Sequence, residues 1–156
     1  MAADSWKSYN KFKEYIGEGY IDLDGDNLKL ALFLSTSNAA TLTNDEYGDL
    51  TNELLNGNGY LTGGIVLTGV TWTESSGTVT FDCNDPTLTA SGGTLTFRFG
   101  VIYVVKTITA PTGTITSPLI CMSLLDNTPA DVSVTTGNTL TFQINASGIL
   151  TLSGAS

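Results

Sequence analysis

Three stretches of this chain carry residue types that could do chemistry. The first is Asp22-Leu23-Asp24-Gly25-Asp26-Asn27, whose alternate carboxylates offer the oxygen ligands that a hard cation such as calcium needs. Read as a calcium loop opening at Asp22, it puts Asn27 where the sharp turn requires glycine and Phe33 where a bidentate glutamate should close the shell. Asp and Gly also form turns, so the stretch reads as a hairpin turn and no metal site is expected. The second is Asn56-Gly57-Asn58-Gly59-Tyr60 with Gly63-Gly64, glycine-rich like a phosphate cradle. It lacks the P-loop lysine and the G-x-G-x-x-G spacing, and it follows a helical pattern where a strand is needed, so it reads as a connection. The third is the run Trp6, Lys7, Tyr9, Lys11, Phe12 and Lys13, in which aromatics alternate with lysines. It reads either as a partner-binding surface or as an aromatic stripe packed inside its own domain, with the lysine stems at the rim.

Other reactive groups are scarce. The chain has no histidine, which removes Ser-His-Asp and Cys-His nucleophile systems and the commonest metal ligand. Cys83 and Cys121 alone cannot build a structural zinc site. Both fall in apolar strand patterns and read as buried free thiols, with a disulfide left open. The acidic residues lie mostly in turns and in the second helical pattern, where solvation accounts for them. The expectation is a protein that is not an enzyme and uses no cofactor.

Charge limits the partners. With 15 acidic and 6 basic residues the net charge is −9, and no basic patch could neutralise several phosphates. Nucleic acid and an anionic membrane surface are therefore not expected as partners. Lys7, Lys11 and Lys13 give the N-terminal arm local positive charge in front of an acidic body. The opening residues lack a basic start followed by an apolar run, so no signal peptide is expected, and synthesis in a reducing cytoplasm is. No apolar stretch reaches transmembrane length.

The elements that must position these residues show a repeated pattern. Thr78-Val79-Thr80-Phe81, Thr94-Leu95-Thr96-Phe97 and Thr139-Leu140-Thr141-Phe142 alternate hydroxyl and apolar side chains with period two. This is a strand with one wet and one packed face, and the β-branch of threonine favours the pleat. Strands are predicted at 64–73, 77–83, 93–106, 118–125, 130–135, 139–145 and 148–152, with a hairpin joining Tyr20-Ile21-Asp22-Leu23 to 28–34. A helix is predicted over 4–16, capped at Asp4 or Ser5 and ended by Gly17, with Trp6, Tyr9, Phe12 and Ile16 at helical spacing. A second follows the capping box Thr43-Asn44-Asp45-Glu46. The near-repeat Thr107-Ile108-Thr109-Ala110-Pro111 and Thr114-Ile115-Thr116-Ser117-Pro118 ends twice in proline. It reads as an exposed arm making intersubunit contacts through Ile108, Pro111 and Ile115, or as an ordinary long hairpin loop. The fold class is all-β with one or two short helices, a sandwich, jelly roll or barrel. The expected organisation is an N-terminal helical arm at 1–17 and one β-sandwich domain at 18–156.

Several stretches resemble small virion proteins of tailed bacteriophages. They are Tyr9-Asn10-Lys11-Phe12-Lys13-Glu14-Tyr15-Ile16, Ile21-Asp22-Leu23-Asp24 running into Lys29-Leu30-Ala31-Leu32-Phe33-Leu34, Asn44-Asp45-Glu46-Tyr47-Gly48-Asp49-Leu50, and the ending from Thr136 to Leu150. The resemblance is one of style and order and carries no catalytic fingerprint. It implies a capsid decoration, or cement, protein with a jelly-roll-like antiparallel β-sandwich, often a homotrimer. Its partners would be the major capsid protein and copies of itself, and its place the capsid surface of the virion. A host-receptor (glycan) binding module and a tail or neck component are the competing expectations.

Overall fold

A computed structural model of the protein describes residues 3–128 and 130–154. In chain order its elements are β1 (Lys7–Ser8), α1 (Phe12–Gly17), β2 (Leu28–Phe33), a 3-10 turn at Tyr47–Asp49, β3 (Ile65–Val66), β4 (Thr71–Ser75) and β5 (Thr78–Asp82). They continue as β6 (Thr87–Thr89), β7 (Leu95–Phe97), β8 (Phe99–Val104), β9 (Thr107–Ala110), β10 (Gly113–Thr116), β11 (Leu119–Leu124), β12 (Val132–Val134), β13 (Thr139–Thr141) and β14 (Leu150–Ser153).

One five-stranded sheet, in the order β1-β11-β8-β2-β3, organises the molecule, and all its pairings are antiparallel. Its central strands are apolar at nearly every position, and both of its faces are covered. Leu28, Leu30, Leu32, Ile102 and Val104 face the main core, which Phe81, Leu88, Phe97, Val132, Phe142 and Ile149 of the small ladders complete. Ala31, Phe33, Val101, Tyr103 and Met122 face a second core, closed by Tyr9, Ala39, Leu42, Tyr47 and Leu50. The opposite layer consists of the ladders β14-β5-β4, β13-β6 and β12-β7, with β9-β10 as a separate hairpin. The fold is thus an antiparallel all-β sandwich, as the threonine alternation predicts.

Local sequence explains several details. Ser76 and Gly77 both have positive φ, 52° and 81°, which gives the β4–β5 hairpin a two-residue turn matched to strand twist. A register shift between Leu119 and Cys121 lets both Ile120 and Cys121 reach the main core. The segment 34–54 is held over the second core by hydrogen bonds from tyrosine hydroxyls to its backbone and side chains. Tyr9 Oη donates to Ala39 O at 2.6 Å, and Tyr15 Oη donates to Asp45 at 2.9 Å.

The structure corrects three local expectations and decides a fourth in favour of the hairpin. The helix predicted over 4–16 is confined to Phe12–Gly17, because Lys7 and Ser8 pair with Met122 and Cys121 as an edge strand. The second helix is only the 3-10 turn, capped reciprocally by Glu46 and Asp49 rather than from Thr43. Tyr20-Ile21-Asp22-Leu23 forms no strand, and its apolar residues Ile21 and Leu23 go into the main core as a turn. The near-repeat at 107–118 is a regular hairpin: Pro111 lies in the turn between β9 and β10 and Pro118 just before β11, so neither interrupts the pairing.

Candidate functional site

The N-terminal stripe is dispersed by the fold. Tyr9 is wholly buried in the second core and Phe12 is buried in the main one, so both serve packing inside the chain. Lys7 and Lys13 are exposed; Lys7 lies 3.6 Å from Asp4, and Lys11 donates to Glu14 at 2.7 Å. Of the predicted contact residues in the 107–118 hairpin, Ile108 is buried, its cross-strand partner Ile115 is half-buried, and only Pro111 is exposed. Residues 3–17 thus share their core with the sandwich and do not form a free arm.

The other motifs resolve into structure. Asp26 accepts from Lys106 Nζ at 2.5 Å and from the Asp22 backbone N–H at 2.8 Å, which closes the Asp-rich turn internally. Among the described residues, no group of three or more His, Cys, Asp or Glu is placed to hold a metal ion, and no helix is long and apolar enough to cross a membrane. In the glycine-rich stretch, Gly64 sits at φ +84° with its Cα against the Leu30 carbonyl, where a Cβ would collide. Cys83 and Cys121 are free and buried in the main core. Burial pushes the Cys83 thiol up to about 11 and holds the Cys121 thiol well above its ordinary value.

Glu53 is the most heavily engaged carboxylate. It accepts from Tyr60 Oη at 2.7 Å, from the Gly63 N–H at 2.7 Å and from Tyr47 Oη, while Tyr60 Oη itself accepts the Leu32 N–H at 3.0 Å. Tyr47 stacks on Tyr103 with ring centroids 4.5 Å apart. Burial, the first cause in each case, holds the Tyr47 and Tyr60 hydroxyls far above the ordinary phenol value. The arrangement ties the segment 53–63 to the central sheet, and its oxygens are occupied by structural donors.

The concave feature of the molecule lies elsewhere. An open groove of about 850 Å³ runs between Ala3–Trp6 on one bank and the stretches 140–145 and 147–151 on the other. Its floor is apolar, with Leu125, Val132, Phe142 and Ile149 from the main core. Its rim is polar, with Gln143, Asn145 and Ser147. Among the described residues, the ionisable side chains that line it are Asp4, which lies 3.6 Å from Lys7, and Asp85, so its edge is acidic. Asp85 Oδ1 accepts the Ile144 N–H at 2.8 Å, and the Asp4 backbone N–H is tethered to Leu124 O at 2.8 Å. Of the residues predicted to contact a partner, Trp6 alone is among the described residues that line this groove. The signal for the rest was the alternation Thr139-Leu140-Thr141-Phe142-Gln143-Ile144, which continues beyond the three residues that pair as β13. Comparison with known protein families, with curated proteins and with solved structures finds no match to the chain.

Proposed function

We propose that the chain is a non-enzymatic bacteriophage capsid decoration protein, a trimer of which adheres to the outer surface of the capsid lattice and stabilises the head. The phage assignment rests on the sequence resemblance. The observation that carries the adhesive part is the groove, with its apolar floor, polar rim and acidic edge. Such a surface suits contact with a partner, and the side chains around it include no nucleophile paired with a base. Symmetric copies would add avidity to a contact that is weak in a single protomer.

A second reading, a glycan-binding virion module, is favoured by one detail: the Trp6 indole lines the groove together with Gln143 and Asn145, a stacking surface beside amide hydrogen-bonding groups. Cosedimentation of the purified protein with empty expanded capsids separates the readings. The decoration role requires saturable binding and decorated particles that survive heating better than bare ones. Particles that neither bind the protein nor gain heat stability would eliminate it. Rings or tubes of the purified chain in electron micrographs would move the assignment to the tail or neck.

A further inference from the structure

The groove coincides with a break in the second layer of the sandwich. β14 is the outer strand of β14-β5-β4 and β13 pairs only with β6, so each has one edge without a strand partner among the described residues. Those edges are what border the groove. Leu140 and Thr141 of β13 and Leu150 and Thr151 of β14 line it, together with most of the connection 142–149 between them, whereas β5, on the far side of β14, contributes none. Where successive strand residues reach one space, as Leu140 with Thr141 and Leu150 with Thr151 do, that space lies beside a backbone edge, because side chains alone would expose every second residue. The Gln143 N–H has no backbone acceptor among the described residues, although its neighbour Phe142 donates to Pro86 O at 2.8 Å. Unpaired strand edges are templates for another strand.

We propose that this groove takes an extended peptide segment of another protein, which adds as a strand along the free edges of β13 and β14 and so joins the ladders β6-β13 and β14-β5-β4. The floor specifies the segment: an alternating sequence would turn every second, apolar side chain onto Leu140, Phe142, Ile149 and Leu150 and leave the others wet. The rim specifies its charge. Asp4 is paired with Lys7, but Asp85 faces the groove with no lysine or arginine among the described lining residues, so the segment carries a basic residue at an end. A second copy of this chain is a poor donor. Its net charge is −9, and Lys7, Lys11, Arg98 and Lys106 are already held in ion pairs. An oligosaccharide fits less well, because the floor is mainly aliphatic and Trp6 is a single platform. The inference deepens the adhesive reading and rests on it for the existence of a partner, though not for the geometry.

The test uses the full chain and a synthetic probe, the acetylated and amidated peptide Lys-Val-Thr-Val-Thr-Val-Lys. Titration followed by amide NMR shifts and hydrogen exchange should give saturable shifts and new protection confined to 3–6 and 140–151. N-methylation of alternate backbone amides of the probe should weaken binding about tenfold or more, since several ladder hydrogen bonds are lost. Asp85→Asn keeps the acceptor for Ile144 N–H and removes the charge. It should weaken the lysine-flanked probe about threefold at low salt and leave it unchanged at high salt. Three results would overturn the proposal: no shifts at millimolar probe, equal binding of the N-methylated probe, or shifts at these residues with maltohexaose but not with the peptide. Probe binding without capsid binding would sink the decoration role alone. Capsid binding that Asp85→Asn leaves intact, with a silent probe, would sink the strand-addition proposal alone.

Discussion

At the scale of single residues, polar groups that looked like chemistry turn out to hold the fold. Glu53 gathers three donors from a loop and two tyrosines, and removing it leaves partly buried hydroxyl and amide groups unpaired. Glu53→Ala should therefore lose about 1–3 kcal/mol of stability, with Glu53→Gln recovering part of it, as read from denaturant midpoints. Alkali reports on the same buried groups. Burial raises Cys83 from 9.0 to about 11, and raises Tyr15 and Tyr103 from 10.0 to about 12, with Asp45 adding to the shift of Tyr15. Each keeps its proton in the folded chain after the unfolded chain has released it. The unfolded state then binds fewer protons, so the contribution of these groups is full below pH 9 and falls as pH rises from about 9 to 12. Denaturation midpoints measured across that range would check this. Sequence spacing could show that Tyr9, Phe12 and Tyr15 share an apolar role. It could not show that they enter two different cores, because that depends on which strand the preceding residues join.

At the scale of elements, period-two patterning was reliable and helical spacing was not. Strands such as Thr78–Asp82 and Thr139–Thr141 lie where threonine alternation puts them. The 4–16 helix failed because Trp6, Tyr9 and Phe12 fit a helical stripe as well as they fit an edge strand leading into a short helix. Pairing with Cys121 and Met122 decides between the two, and that contact is invisible locally. The long stretch 93–106 contains a break at Arg98, where the chain leaves the β12 ladder for the central sheet. The groove was only partly legible for the same reason: the residues of its floor and edge are apparent as alternation, but the absence of a neighbouring strand is a property of the assembled layer. These placements make a deletion informative. A chain lacking residues 1–16 loses Tyr9, Phe12 and Tyr15, each of which is worth about 3–5 kcal/mol as a buried aromatic. The expected product is insoluble or unfolded by circular dichroism. A monodisperse, folded product would return the N-terminus to the role of a docking arm.

At the scale of the whole molecule, the all-β class follows from composition and alternation, and the central, two-sided burial of β8 is legible where Ile102 and Val104 are apolar opposite Val101 and Tyr103. An antiparallel sheet usually keeps one face wet, and what the sequence does not show is that the segment 34–54 covers the second face. That sheet also has a consequence for how the chain comes into being. Its five strands are drawn from residues 7–8, 28–33, 65–66, 99–104 and 119–124, with β8 at the centre and β11 beside it. During synthesis β2 therefore waits, with only the two-residue β3 to pair with, until residue 104 has left the ribosome, and β1 waits until residue 124 has. Folding dominated by such distant pairings is slow, and the incomplete chain is open to aggregation throughout. The nascent protein is consequently a natural client for chaperones that shield apolar strands, and a ribosome stalled before residue 104 would carry a chain with no native centre to close around.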